Sequence, residues 1–175
     1  MRMNRKIKQI LLTLSSIMWM IRIFGFSSDT AEESSRLSAM VCTFLAENFI
    51  RGFDAMSPSD RESIIDGMQI YVRKGAHVTE YIILGVLLVL TFAAYRLRKA
   101  GTAALAAGIL YAALDEYHQS FVPGRSGEIK DVLIDACGLL LGLLAVREAG
   151  RFIQMIKEKK KSGRWKPVPS HEKGR

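Results

Sequence analysis

Apolar residues are not spread evenly along this chain. They gather into four blocks, at 10–26, 78–95, 101–114 and 132–146, while charges collect in the connections and towards both ends. The first block holds only Arg22 among charged types, and the second only Glu80, near its start. The third ends in Asp115-Glu116-Tyr117-His118, and the fourth follows Asp131 and carries Asp135 in its first turns. A bilayer core about 30 Å thick is crossed by about 17–25 helical residues, so each block suffices once its polar end is counted. The second and third show no polar stripe of period 3.6 through their centres, unlike a surface helix. The pattern predicts an all-α, integral membrane four-helix bundle with spans at about 10–26, 78–95, 101–118 and 129–146.

The connection between the first two blocks has a pattern of its own. Leu37, Met40, Val41, Phe44 and Leu45 recur at the spacing of one helix face, with Glu33, Arg36 and Glu47 opposite. Ser57-Pro58-Ser59-Asp60 combines a cap, proline at the first helical position and a nearby acid. Ile64, Ile65, Met68, Tyr71 and Val72 then form a second stripe. The segment 31–72 therefore predicts two short amphipathic helices, a cover lying on the outer leaflet or roofing the bundle.

Charge sets the expected orientation. Arg2, Arg5, Lys6 and Lys8 precede the first block, Arg96, Arg98 and Lys99 separate the second from the third, and Arg147, Arg151, Lys157 and Lys159-Lys160-Lys161 follow the fourth. The stretch 27–72 instead holds eight acidic and three basic residues. The positive-inside rule then predicts a multi-pass plasma-membrane protein with both termini cytoplasmic and the 27–72 and 119–128 connections outside. A basic start before an apolar run also describes a signal peptide, but Phe26-Ser27-Ser28-Asp29-Thr30 lacks a small-x-small cleavage pattern, which favours a retained anchor. The net charge of +8 fits a basic cytoplasmic tail at 148–175 touching anionic lipid, without nucleic acid. Long apolar runs exclude a disordered chain, and two cysteines, Cys42 and Cys137, exclude a disulfide framework.

The costly polar residues converge at one depth, the outer interface. Arg73, Lys74, His77 and Glu80 open the second span, Asp115, Glu116, His118 and Gln119 close the third, Arg125 lies in the following turn, and Asp131 and Asp135 open the fourth. His77 with Glu80, and Asp115 with His118, are i, i+3 pairs on one helical face, and Asp131 with Asp135 is i, i+4. Single pairs of this kind often just fasten helix ends. So large a set points to a cleft, because ionisable groups at membrane depth face a bundle interior or a wet cavity. His77, Glu80, Asp115, Glu116 and His118 form the catalytic candidates, with the histidines moving protons and the acids orienting them or holding a divalent ion. Arg73, Lys74, Gln119, Arg125, Asp131 and Asp135 form the substrate-binding candidates, the cations suiting a phosphate or carboxylate. No metal is assigned, since no H-E-x-x-H run is present; the cofactor is unknown, and the absence of a phosphate-binding loop or dinucleotide fingerprint speaks only against ATP-driven or redox work. Ser120 and Ser126 lie in no nucleophile motif.

At these residues a family resemblance emerges. Arg73-Lys74-Gly75-Ala76-His77-Val78-Thr79-Glu80-Tyr81 resembles the R-K-x-A-H-x-x-E-Y signature of the VanZ-like family. Asp115-Glu116-Tyr117-His118-Gln119-Ser120-Phe121-Val122-Pro123-Gly124-Arg125 resembles its D-E-x-H-Q-x-F-V-P-G-R signature, with Asp131 and Gly138 at a fitting distance beyond. Phe26-Ser27-Ser28, followed by Ser34, Ser35 and Ser38, is similar to the family's first outside segment. The resemblance spans a membrane domain at 7–147. Two positions depart from the family pattern, which has glutamine where Asp29 stands and asparagine where Asp135 stands. The resemblance implies a small bacterial integral membrane protein of a type linked to low-level teicoplanin resistance, and no particular reaction.

Two functions follow as expectations. One is an interfacial enzyme whose outward cleft takes an anionic lipid-linked or cell-wall component. The other is a non-enzymatic envelope factor that binds a lipid or glycopeptide or partners another membrane protein, as the missing nucleophile suggests. A transporter fits less well, because the polar groups stay at one interface. Small-x-x-x-small pairs, Gly138 with Gly142 and Ala104 with Gly108, predict close helix packing within the bundle or in a homo-oligomer.

Overall fold

The computed structural model describes residues 4–161. Five α-helices follow one another: α1 (Arg5–Ser27), α2 (Ala31–Phe49), α3 (Pro58–Ala94), α4 (Ala100–Gln119) and α5 (Ile129–Lys161), with a 3-10 turn at Phe53–Ala55. No strand occurs among the described residues.

The caps explain where the helices begin. Asn4 accepts from the Lys6 N–H to open α1. Thr30 and Glu33 make a reciprocal capping box that starts α2 three residues after α1 ends. Ser57 accepts from the Asp60 N–H ahead of Pro58, the start that the sequence pattern predicts for α3.

Two boundaries differ from the sequence expectation. The second cover helix and the second span are one helix, because the 37 residues of α3 run without a break through Arg73-Lys74-Gly75-Ala76-His77. Nothing in that junction stops a helix: it holds no proline, and Gly75 faces open space. At 1.5 Å per residue α3 is about 55 Å long, well beyond an apolar core of about 30 Å. The basic segment after 147 is likewise not separate at its start, since α5 continues to Lys161 through strong helix formers, with lysines suited to its C-terminal end. The rest of the expected tail, including His171, lies outside the described residues.

The long α3 is the central element, packing against α1, α2, α4 and α5. Ile23, Tyr81, Leu84, Leu88, Ala104, Ala112 and Leu139 form the core where α1, α3, α4 and α5 meet. The glycine pattern places α5 directly on α3: a Cβ on Gly138 would lie 2.7 Å from the Val78 carbonyl oxygen, and one on Gly142 2.3 Å from that of Ile82. These small residues thus serve contacts within the chain. Polar stitches join α1 to its neighbours, with Ser16 and Thr91 hydroxyls 2.9 Å apart, Trp19 donating to the Glu80 carbonyl at 2.9 Å and Tyr111 to the Met20 carbonyl at 2.6 Å.

The surface reverses the usual polarity of a globule. Ile10, Leu14, Met18 and Ile21 of α1, Leu110 and Leu114 of α4, and Leu133, Leu141 and Leu144 of α5 are exposed, while Ser16, Thr91, Asp115, Glu116, Gln119 and Asp135 are buried. Two of the helices, α1 and α3, are long and apolar enough to cross a membrane. The apolar stripe of α2 also points outward, with Leu37, Met40, Val41 and Phe44 exposed, and its small face of Ser38, Cys42 and Ala46 is buried.

Candidate functional site

The middle of α3, the end of α4, the start of α5 and one turn build a polar cluster. α3 contributes Arg73, Lys74 and His77, α4 contributes Asp115, Glu116 and Gln119, the turn between α4 and α5 contributes Arg125, and α5 contributes Asp131 and Asp135. The turn reverses through Gly124, whose φ of +75° is a left-handed conformation that glycine adopts without strain. A cavity of about 210 Å³ opens among these groups, lined by Arg73, Lys74, His77, Gln119, Arg125, Asp131 and Asp135 with Ile70 and Ile134. A second hollow of about 190 Å³ lies on the α2 side and shares Arg73, His77 and Arg125, adding Glu80, Asp29, Leu37 and Val41.

Fixed hydrogen bonds hold the walls. Ser27 at the end of α1 donates to Asp115 Oδ2 at 2.7 Å, and the Tyr81 hydroxyl donates to the same oxygen at 3.4 Å. Gln119 donates to Ser27 at 3.1 Å and accepts from Arg125 Nη1 at 3.3 Å. Arg125 Nη2 also donates to the Phe26 carbonyl at 3.4 Å. Arg73 donates to Ser35 of α2 at 3.0 Å, and Lys74 pairs with Asp131. Burial first, and then the positive charge of Arg73, lower the pKa of Arg125 from its ordinary value.

The helical pairs that spacing suggests are not the ones that form. Neither His77 with Glu80 nor Asp115 with His118 is hydrogen-bonded among the described residues. His77 instead faces Asp135 across the α3–α5 contact, its Nδ1 3.7 Å from Oδ1. The His118 ring packs on Phe24 of α1 at 4.3 Å between centroids, and it lines neither cavity. Arg22 lies over the Phe26 ring at 4.4 Å to the centroid, a cation–π contact. Ser27, Ser35, Tyr81 and Tyr111 were not singled out by the sequence as site residues. The serine run after the first block and the tyrosine that closes the first signature, Tyr81, marked part of that set.

Chemically, the cluster offers three cations towards a cavity of small-molecule size, one imidazole, and carboxylates at its edge. His77, Glu116 and Asp135 each present a donor atom within 4.8 Å of the others, a spacing that a metal ion fits.

Comparison with known proteins agrees with the motifs. No curated protein and no solved structure shows a significant match to the chain. The VanZ/LLP1 family model matches residues 12–153, a region that contains α2, α3 and α4 whole, most of α1 and α5, and every residue of the cluster. The protein therefore belongs to the VanZ/LLP1 family.

Proposed function

We propose that the protein is a four-span membrane protein of the cell envelope, with both termini cytoplasmic, whose outward cleft binds the anionic group of a lipid-linked or cell-wall component. The exposed aliphatic surface and the buried polar cluster support the membrane setting, and the clustering of basic residues supports the orientation. One observation carries the binding reading. Arg73 and Arg125 line both hollows, and each donates only to neutral acceptors: Ser35, Gln119 and the Phe26 carbonyl. Neither forms an ion pair with a carboxylate among the described residues. Two guanidinium groups held this way suit a phosphate or carboxylate oxygen. His77 lies in the same wall and gives the enzyme reading its acid–base group, while the lack of an assigned nucleophile keeps a non-enzymatic lipid- or glycopeptide-binding factor as the alternative.

The test is native mass spectrometry of the full chain with a polyprenyl phosphate, the matching uncharged polyprenol and a zwitterionic phospholipid. Selective retention of the phosphate, lost in Arg73→Gln with Arg125→Gln, supports the reading. Equal retention of phosphate and polyprenol by the wild type sinks it. A link to glycopeptide resistance predicts a teicoplanin susceptibility shift that cells lose with the same double variant at matched membrane levels.

A further inference from the structure

No lysine or arginine pairs with the acids buried between α3, α4 and α5 among the described side chains. Asp135 is 0% exposed, and neither of its carboxylate oxygens has a hydrogen-bond partner. Glu116 is 4% exposed; its Oε2 accepts from the Glu128 N–H at 3.1 Å, and its Oε1 is buried without a partner. His77 Nδ1 is buried too, and at 3.7 Å from Asp135 Oδ1 it is beyond hydrogen-bonding distance. None of the nearby cations pairs with these acids: Lys74 pairs with Asp131, and Arg73 and Arg125 donate to Ser35, Gln119 and a backbone carbonyl. Buried carboxylates are stable only when neutralised, paired or bound to a metal.

We propose that His77, Glu116 and Asp135 form a binding site for a divalent transition-metal ion, Zn²⁺ or Mn²⁺, at the junction of α3, α4 and α5. One donor atom from each lies within 4.8 Å of the others. Ligand atoms about 2.1 Å from a tetrahedral ion sit about 3.4 Å apart. His77 Nδ1 and Asp135 Oδ1, at 3.7 Å, are already near that spacing. The widest separation in the set closes by up to about 1.4 Å on binding. An imidazole with two carboxylates and no thiolate suits Zn²⁺ or Mn²⁺, whereas Ca²⁺ and Mg²⁺ favour all-oxygen cages. The Glu128 N–H fixes the Glu116 carboxylate and leaves its second oxygen free to ligate. Since His77 and Asp135 also line the cavity beside Arg73 and Arg125, a coordination position not filled by protein faces the place where an anion would sit. The site goes beyond the proposed headgroup binding and stands on its own geometry.

The experiment uses the full chain in detergent, purified without a histidine tag, stripped with chelator and dialysed against Zn²⁺ or Mn²⁺ with no anionic lipid present. Elemental analysis is expected to find a single ion per chain, and the ion is expected to raise the melting temperature. Asp135→Asn and Glu116→Gln should weaken binding at least about tenfold, while His118→Ala and His171→Ala retain it. Circular dichroism checks that each variant is folded. Should a variant unfold, X-ray absorption on the wild type decides, with imidazole and carboxylate oxygens expected around the ion. A folded wild type that keeps neither ion, or a shell containing thiolate, overturns the proposal. Binding unchanged in folded Asp135→Asn and Glu116→Gln overturns it as well.

Discussion

The Ser27 hydroxyl donates to Asp115 Oδ2 at 2.7 Å, tying the last residue of α1 to a buried acid of α4 across 88 positions of sequence. Both residues are about 2% exposed, so water cannot replace the bond. Ser27→Ala leaves that oxygen with only the longer Tyr81 contact, and Gln119 loses its acceptor as well. Losing a buried partner costs about 1–3 kcal/mol. Denaturation in detergent should show that loss, with Ser28→Ala, whose hydroxyl returns to its own helix, as the mild control.

Arg125→Gln removes a charge from the cavity wall and keeps hydrogen-bonding capacity. A charge-assisted hydrogen bond is worth about 1.5–3 kcal/mol, so phosphate-bearing lipid should bind roughly tenfold or more weakly. Arg125→Lys should recover only part of that, because lysine lacks the planar fork that reaches Gln119 and an anion together. Competition between phosphate-bearing and neutral lipid measures both variants.

Gly142→Ala should be costly. Its Cβ would lie 2.3 Å from a backbone oxygen of α3, which cannot rotate aside as a side chain can. Overpacking of this kind costs about 1–3 kcal/mol. Gly150→Ala, with nothing within 4 Å, should be neutral or slightly stabilising in the same melting experiment.

The start of α2 should depend on pH. Backbone and side-chain hydrogen bonds from Thr30 hold the Glu33 carboxyl below its ordinary pKa. A depressed folded pKa contributes stability above the unfolded value, and that contribution fades as pH falls through the folded one. Amide exchange in the first turn of α2 should therefore quicken in acid. Glu33→Gln should remove the pH step, and Thr30→Ala should loosen the turn at neutral pH as well.

The orientation is checked by labelling in a background where Cys42 and Cys137 are replaced. An impermeant maleimide should reach Ser59→Cys on intact cells and Lys160→Cys only after lysis, both positions being exposed. The reverse order would put the cleft on the cytoplasmic side.

Local chemistry made much of this protein legible from its sequence. Apolar runs marked where helices lie, Ser57-Pro58 marked a helix start, and the two polar motifs marked the residues that gather at one end. Those signals depend on neighbours in the chain, so periodicity and capping reveal them. The continuity of α3 was hidden because the polar stretch 73–77 lies between two predicted helices and reads as a connection, although nothing in it stops a helix. Side-chain partners were hidden for a different reason. Spacing says which residues share a helix face but not which face a neighbouring helix covers. Packing through Gly138 and Gly142 turns Asp135 towards His77, and the end of α1 brings Ser27 to Asp115. The outward stripe of α2 follows the same logic: its small residues fit closely against the bundle, and its large apolar ones are left outside. The sequence determined where helical segments lie and which polar groups the chain brings to that region. Only tertiary packing decided which of those groups meet, because contact depends on how closely helices approach and how they are turned.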